Sequence, residues 1–468
     1  MTDFFRSFLD CVNAFFTVYL VGYSTFLFLS VVVGSIDLYQ SRQRARMRNT
    51  LWQSYYVPVS ILVPAYNEEV TVVDTVRSLL ALDYKLFEII IMDDGSKDAT
   101  SQVLIDAFDM VQVHRPIRQV VPCQPAVAVY EAKGTRVPVT LIRKRNGGKA
   151  DSLNMGINCA RYPYFICMDA DSVLQYDSLE RIVRPVLEDP NVVAVGGSVR
   201  PANGVVIKDG RVKRYRLPKN ILAAMQALEY DRSFLAARIL FDKFNGNLII
   251  SGAFGLFHKS TVIAVGGYDR GTMGEDMELV VKLHEFCRAN HRPYRIRFAS
   301  DAVCWSQAPE RLRDLGKQRK RWHLGLFQCL WSHRRILANP SFGLVGVVSY
   351  VYFTLYELLS PFIELFGIVT IALSVAMDML NLPFMLVFFA AYALYGMVLS
   401  LTSFFARMYT IDLRLSALDV LKAFLLCLFE VVFLRNYLAF IRMTAFIGYR
   451  KNRLNWGKLE RKKLNQEE

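Results

Sequence analysis

Residues 251–322 contain three motifs, SGAFG (251–255), GED (274–276) and QRKRW (318–322). In the third motif, Gln318, Arg321 and Trp322 are spaced i, i+3 and i+4, so a helix would carry them on one face. An amide, a guanidinium and an indole side by side favour a ligand that is both anionic and flat.

GED precedes a segment in which Leu279, Val280 and Leu283 recur at helical spacing, so a helix is predicted to begin at this motif. A carboxylate at a helix start lies in the positive end of the helix dipole, which keeps it ionised and available as a base. Asp276 is therefore the candidate general base, and Glu275 lies beside it as the second candidate catalytic residue.

Upstream of this stretch, short apolar runs alternate with helical periodicity, which predicts an α/β domain with a mainly parallel sheet. The predicted strands are Val59–Val63, Phe87–Met92, Tyr164–Met168 and Asn191–Gly197, and the predicted helices include Val70–Leu82 and Asn220–Phe241. The first three strands end at PAYNEE (64–69), DDGS (93–96) and DAD (169–171). Open α/β sheets bind ligands just past the carboxyl ends of their strands, so these motifs mark a candidate site. The chain has neither GxGxxG nor a Walker lysine loop, which excludes the usual dinucleotide fold and a P-loop ATPase.

Two further segments lie between the second and third of these strands. Residues 111–140 belong to a longer insertion (101–145), and their Val, Ile and Pro content predicts an extra strand or a hairpin. A helix is then predicted to begin within residues 147–154. Two glycines and Lys149 at a helix N-terminus favour an anion.

Apolar residues make up 53% of the 468-residue chain, which predicts membrane spans. The apolar segments are Val12–Ile36, Phe342–Met377, Phe384–Phe405 and Leu418–Phe446. We expect four or five spans in total. Either the second segment is broken into two passes at Pro361, or the last one turns back near Arg435.

The net charge of +14 comes from basic clusters beside these apolar segments, at 42–48, 317–321, 334–335 and 450–463. This placement fits the positive-inside rule and anionic lipid better than nucleic acid. It predicts an N-terminus outside the cell and a cytoplasmic domain after the first span. The eight cysteines are scattered, as is typical of reduced cytoplasmic proteins.

Four motifs, DDGS, DAD, GED and QxxRW, occur in this order between hydrophobic segments. Together they resemble the processive membrane synthases of glycosyltransferase family 2, which make cellulose, hyaluronan, chitin oligosaccharides and poly-N-acetylglucosamine. The resemblance implies a GT-A type nucleotide-sugar-binding domain in the cytoplasm, inserted between transmembrane and interfacial helices. The expected domains are a transmembrane helix (1–40), the GT-A domain (41–310), interface helices with QxxRW (311–341), transmembrane helices forming a glycan channel (342–447) and a basic cytoplasmic tail (448–468).

The resemblance implies a processive, inverting β-glycosyltransferase of the plasma membrane. It would polymerise sugar from a UDP-sugar, glucose or N-acetylglucosamine, and pass the polysaccharide across the bilayer. The implied nucleotide-sugar contacts are Tyr66, Glu68, Asp94, Lys149, Asp169, Gln318 and Arg321, and the implied acceptor contacts are Trp322, Phe254 and Ser251. Trp456 and Arg461 resemble a gating segment of hyaluronan synthases.

A departing diphosphate carries charge that a hard divalent cation neutralises, and Mg²⁺ or Mn²⁺ takes one or two carboxylates besides phosphate oxygens and water. Asp171 is the first candidate ligand, and Asp169 lies nearer the sugar or ribose. Two other functions stay open. The chain could add a single sugar to a lipid acceptor, or it could be an inactive membrane scaffold or transporter. Partner subunits, the sugar and its linkage are not encoded in recognisable motifs.

Overall fold

The computed structural model describes residues 2–48, 56–208, 211–377, 379, 382–410 and 416–447. The predicted tail 448–468, with Trp456 and Arg461, lies outside the described residues. The α-helices are α1 (Thr2–Arg48), α2 (Val72–Leu80), α3 (Thr100–Ala107), α4 (Lys149–Cys159), α5 (Ser178–Glu188), α6 (Ile221–Glu229), α7 (Ala237–Lys243), α8 (Lys259–Ala264), α9 (Glu275–Ala289), α10 (Leu312–Ser332), α11 (Tyr350–Tyr352), α12 (Ser360–Ala376), α13 (Leu382–Thr410), α14 (Ala417–Phe429) and α15 (Arg435–Thr444). The strands are β1 (Val59–Ala65), β2 (Phe87–Asp93), β3 (Met110–Val113), β4 (Ala126–Ala132), β5 (Val139–Lys144), β6 (Tyr164–Cys167), β7 (Val173–Leu174), β8 (Val192–Pro201), β9 (Val205–Lys208), β10 (Arg211–Tyr215), β11 (Gly255–His258) and β12 (Arg295–Ser306).

Within the described residues, ten strands form one mixed sheet in the order β3-β4-β5-β2-β1-β6-β11-β8-β12-β7. The central strands β5, β2, β1 and β6 are parallel, and so are β8 and β12. β11 runs antiparallel between β6 and β8. This arrangement confirms the predicted α/β fold, in which a parallel block lies at the centre.

The central strands are buried on both faces because apolar clusters cover both sides of the sheet. In β1, Ile61 and Val63 pack into one cluster while Leu62 packs into the cluster on the opposite face. In β2, Ile89 and Ile90 divide in the same way. Parallel strands covered on both faces appear in the sequence as continuous apolar runs, which is why these two strands could be predicted.

The insertion at 111–140 forms β3 and β4, an antiparallel pair that extends the sheet beyond β5. The extra strand or hairpin predicted there is thus present. The predicted helix at 220–241 is also present, as α6 and α7 joined by a π-helical segment, Tyr230–Ala236.

Two helices in the described residues are long and apolar enough to cross a membrane, Ser7–Ser41 within α1 and Met385–Met408 within α13. Val345–Leu358 and Ser360–Ala376 would add a third span if counted together, and they are bent by 51°. Pro361 lies at the start of the second of these segments, at the break that the sequence offered as one alternative. The described part of the chain thus holds two or three candidate spans, fewer than the four or five expected. The last predicted span is divided into α14, a π-helical turn (Glu430–Leu434) and α15.

Candidate active site

The loops after β1, β2 and β6 lie side by side because these strands are parallel neighbours in one sheet. Ala65, at the end of β1, pairs with Asp93 at the end of β2. Leu62 in β1 pairs with Cys167 at the end of β6, so DAD begins at the same edge of the sheet. The acidic motifs that follow the three strands therefore share one edge.

Asp94 is buried and holds the loop that leads into α4. Its carboxylate accepts hydrogen bonds from the backbone N–H groups of Gly147 (3.0 Å) and Gly148 (2.7 Å). The side chain of Asn146 donates a third (3.1 Å), and Lys144 forms an ion pair with the same carboxylate. Asp94 therefore positions this loop, and its contact with the nucleotide stays a prediction.

Lys144 is a fully buried cation that the sequence reasoning missed. Besides Asp94, it contacts Asp151 at 2.7 Å, and both of these side chains are almost completely buried. Asp151 also pairs with Arg270 (3.1 Å) and accepts a hydrogen bond from the backbone of Gln124 (3.0 Å). This network fixes the first turn of α4, in which Lys149 lies. The available signal was a lysine at the end of strand β5, whose first four residues are buried.

The two predicted nucleotide contacts after β1 differ in exposure. Tyr66 is exposed at the edge of the sheet, whereas Glu68 is buried. Glu68 accepts a hydrogen bond from the Thr71 hydroxyl (2.8 Å), and its own N–H donates to Thr100 (2.8 Å). Glu68 therefore helps to hold the residues that precede α2, and Tyr66 is the side chain that faces outward.

GED forms the N-terminus of α9, as predicted, and its two carboxylates have different surroundings. Asp276 is partly exposed and accepts hydrogen bonds from the backbone N–H groups of Gly252 (3.0 Å) and Met277 (2.8 Å). Glu275 is buried. Of the two predicted catalytic residues, Asp276 is the one that remains accessible to an acceptor.

Lys149 joins three parts of the site. Its ammonium pairs with Asp169, lies 3.7 Å from Glu275 and donates to the carbonyl oxygen of Gly252 (3.4 Å). Burial opposes the charge on Lys149, but Asp169 and Glu275 outweigh it and raise its pKa. The pKa of Glu275 is raised to about 7, and burial is the main cause. Lys149 acts to lower this pKa, and the charge of Asp276 acts to raise it. DAD, SGAFG and GED therefore meet around one ammonium group.

Gly252 permits this close approach because it has no side chain. An added Cβ would lie 3.1 Å from the Lys149 ammonium and 3.6 Å from the Asp276 carboxylate. Phe254, in contrast, is fully buried in the core, where Gly197 packs against its ring. The predicted acceptor contact of Phe254 is therefore corrected to a core position. Ser251 remains partly exposed, and its hydroxyl accepts a hydrogen bond from the Ala253 N–H (3.3 Å).

QRKRW lies on α10 as predicted, next to GED. An added Cβ at Gly325 would lie 2.7 Å from the backbone nitrogen of Gly274, so the two segments touch backbone to backbone. Arg321 is close enough for its charge to lower the pKa of Glu275. Gln318 is partly exposed, and Trp322 is 37% exposed. Arg321 therefore lies near the carboxylates of GED, and Gln318 and Trp322 lie on the same helix.

Two arginines near the site were also missed, of which Arg319 is buried and Arg238 is partly buried. Arg319 is 2% exposed, pairs with Glu229 at 2.6 Å and stacks over the Trp322 ring at 4.6 Å. Arg238, on α7, has a pKa that burial lowers to about 10 and that Asp276 raises in part. For Arg319, the sequence signal was the cluster of basic residues in QRKRW. No sequence signal indicated Arg238.

The fit of a divalent cation rests on Asp169 and Asp171, which follow β6. Asp171 is buried, whereas Asp169 is one-third exposed. The described residues hold no cluster of three or more His, Cys, Asp or Glu side chains that could enclose a metal ion. A pair of carboxylates nevertheless suits Mg²⁺ or Mn²⁺, which take one or two carboxylates and leave other positions to phosphate and water. The residues present therefore fit such an ion.

Comparison with known families identifies the family of the chain. The profile of the "Glycosyl transferase family group 2" matches residues 164–449, more than half of the chain, and that of "Glycosyl transferase family 2" matches residues 60–121. The chain belongs to glycosyltransferase family 2. This membership confirms the family resemblance found in the four motifs.

The chain is similar to poly-β-1,6-N-acetyl-D-glucosamine synthases. It is 31% identical to that of Staphylococcus aureus (strain COL) over 314 residues, and 32% identical to that of Staphylococcus epidermidis over 311 residues. Each match spans 66% of this chain and 64% of the curated relative. A mannosyltransferase from Pyrobaculum calidifontis, solved with GDP-Man and Mn²⁺, shares the fold with a TM-score of 0.52 and 18% identity, over 88% of this chain and 99% of that one.

Proposed function

We propose that this glycosyltransferase is a processive, inverting polysaccharide synthase that uses a UDP-sugar, and that Asp276 is its general base. The observation that carries the proposal is that DAD, SGAFG, GED and the helix of QxxRW lie in contact with one another. Lys149 joins Asp169 to Glu275, Gly252 contacts Asp276, and α10 packs against GED.

In the proposed step, Asp276 takes the proton of an acceptor hydroxyl. The hydroxyl oxygen bonds to the anomeric carbon of the donor as the bond from that carbon to the diphosphate breaks, so the configuration inverts and an α-linked donor gives a β-linkage. Gln318 and Arg321 bind the departing diphosphate, since a guanidinium can form two parallel hydrogen bonds to phosphate oxygens. Trp322 offers an exposed ring on which the acceptor sugar stacks.

Asp171 and Asp169 would hold Mg²⁺ or Mn²⁺, which would neutralise charge on the diphosphate. Asp169 already pairs with the Lys149 ammonium. Lys149 therefore brings a second positive charge to the place where the diphosphate would lie. The exposed ring of Tyr66 is suited to contact the nucleotide at the same edge of the sheet.

The proposed donor sugar is N-acetylglucosamine, because the curated relatives carry poly-β-1,6-N-acetyl-D-glucosamine synthase as their name. UDP-glucose is the alternative. We further propose a plasma-membrane enzyme with several spans, a cytoplasmic catalytic domain and a growing glycan as acceptor. The spans within α1 and α13 support this placement.

A polar seam among the apolar helices supports export of the product through residues 342–447. Arg435 pairs with Glu364 (3.2 Å) and stacks over Tyr23 at 5.2 Å. Arg232 pairs with Glu430 at 2.8 Å. Charged and tyrosine side chains inside a helix bundle are costly in lipid and favour a polar ligand or a wet path.

The proposal is tested with purified protein in nanodiscs and Mg²⁺ or Mn²⁺. UDP-glucose, UDP-N-acetylglucosamine and UDP-glucuronate are offered separately and in pairs, and both UDP release and product size are measured. We expect a high-mass glycan or a ladder, and a loss of about 10² to 10⁴ in rate for Asp276→Asn. Asp106→Asn, on the exposed face of α3, is the matched control. A single added sugar would contradict processivity, and an unchanged rate for Asp276→Asn would contradict the assignment of the base.

A further inference from the structure

His333 follows the C-terminal end of α10 and contacts α9, the helix that begins with Asp276. Its Nδ1 lies 2.6 Å from the Glu285 carboxylate, and its Nε2 lies 3.4 Å from the Glu278 carboxylate. Both glutamates belong to α9, and His333 is 9% exposed. One imidazole thus lies between two carboxylates of the neighbouring helix.

The protonation state of His333 decides how strongly it joins the helices. An imidazolium donates from both nitrogens, whereas a neutral ring donates from one and turns a lone pair towards the other carboxylate. Burial disfavours the charged ring, but the hydrogen bonds to Glu278 and Glu285 outweigh burial and raise the pKa of His333. The charged form is therefore the form that both glutamates stabilise.

Other titratable groups face the same place. On α9, Lys282 lies 3.6 Å from Glu278. After α10, Arg335 lies 3.5 Å from Glu285. Cys329 and Tyr350 are buried nearby, and burial raises the pKa of the Cys329 thiol, so this thiol stays neutral. The two outer cations reduce the negative charge of the glutamates, but neither lies between the two helices as the imidazole does.

Two more contacts join α10 to the start of α9. The backbone of Gly325 touches that of Gly274. The side-chain oxygen of Gln328 accepts a hydrogen bond from the Met273 N–H (2.8 Å). His333 is a further contact along this line, and its strength depends on a proton.

We propose that His333 is a positioning residue for sugar transfer: it holds α10 against α9 and so fixes the distance between Asp276 and the Arg321 and Trp322 face. At 1.5 Å per residue, His333 lies about 16 Å along α10 from Trp322, and Glu285 lies about 13 Å along α9 from Asp276. His333 therefore acts through the two helices. The inference rests on the proposed function, because it takes Asp276 as the base.

The test compares wild type, His333→Gln and His333→Lys in nanodiscs by UDP release between pH 6 and pH 9. The exposed His114→Gln is the matched control. We expect His333→Gln to lower kcat about tenfold at pH 6.5, with little change in the donor KM, because misplacement of catalytic groups slows the chemical step. The wild-type kcat should fall as the pH rises through the His333 pKa, and this decline should be absent in His333→Gln. His333→Lys keeps a cation between the glutamates, so it should restore kcat and move the decline to higher pH.

The rate of amide hydrogen exchange in the second half of α10 is a measurement that does not depend on enzyme activity. It should be faster in His333→Gln than in wild type, while the melting temperatures stay close. A wild-type kcat and pH profile in His333→Gln, or a His333→Lys variant as slow as His333→Gln, would overturn the proposal. If wild type releases no UDP, the proposed function fails. Independently of that result, an unchanged rate of amide hydrogen exchange in α10 of His333→Gln would overturn the role of His333.

Discussion

Replacing Gly325 by alanine tests whether the contact between α10 and GED controls the rate of transfer. The added Cβ would lie 2.7 Å from the Gly274 nitrogen and 2.8 Å from its Cα. Non-bonded carbon atoms are most stable about 3.5 Å or more apart. Because the atoms in the way belong to the backbone and cannot rotate aside, the two segments must separate by about 0.8 Å.

A displacement of this size should affect chemistry more than folding. A misplacement of about 1 Å can cost roughly 10²-fold in rate, so we expect kcat of Gly325→Ala to fall about 30- to 100-fold. Overpacking costs about 1–3 kcal/mol, and alanine recovers about 1 kcal/mol over glycine inside a helix. The variant should therefore remain folded.

Gly316→Ala is the matched control on the same helix. There the added Cβ would meet Tyr437 at 3.5 Å and Ile441 at 3.6 Å, which are ordinary contact distances. Initial rates of UDP release and melting temperatures are measured for both variants beside wild type. Equal and near-wild-type kcat values for Gly325→Ala and Gly316→Ala would refute the reasoning that α10 must touch GED.

Two further predictions concern charge. Lys144→Met leaves the buried carboxylates of Asp94 and Asp151 without their shared cation, so thermal unfolding should show a loss of about 3–5 kcal/mol, whereas the exposed Lys97→Met should change little. Glu275 has a pKa raised from 4.5 to about 7 in the folded protein, so its contribution to stability is complete below pH 4.5 and is lost as the pH rises through 7. Relative to Glu275→Gln, wild type should therefore be more stable at pH 5 than at pH 8, and equal differences in melting temperature at the two pH values would contradict this.

The sequence predicted those features that depend on local pattern. Strands β1 and β2 are buried on both faces, so their apolar runs were unmistakable. The start of α9 at GED and the helical face of QxxRW follow from spacing within one helix. Spacing alone could not decide whether Phe254 packs inward, because a phenylalanine in a small-residue turn fits either a core or a sugar face.

The orientation of the acidic side chains could not be predicted, because it depends on partners far along the chain. Asp94 turns inward since Lys144 and the Gly147 and Gly148 amides come from a segment about 50 residues later. Arg319 is buried since Glu229, about 90 residues earlier, receives it. Pairs between residues so far apart in sequence produce no periodic pattern. The motifs therefore identified the residue types of the site, but not which carboxylate oxygens remain free for a ligand.

Glu275 and Asp276 show how the fold gives two neighbouring acids different tasks. Successive residues on a helix point about 100° apart, so Glu275 turns to Lys149 while Asp276 turns to the Gly252 amide. Lys149 shares its charge between Asp169 and Glu275, and a bound diphosphate would compete for that same ammonium. As Lys149 moves towards phosphate, Glu275 would lose its cation and favour the protonated form. Asp276, whose hydrogen bonds come from the backbone N–H groups of Gly252 and Met277, would keep its charge for the acceptor.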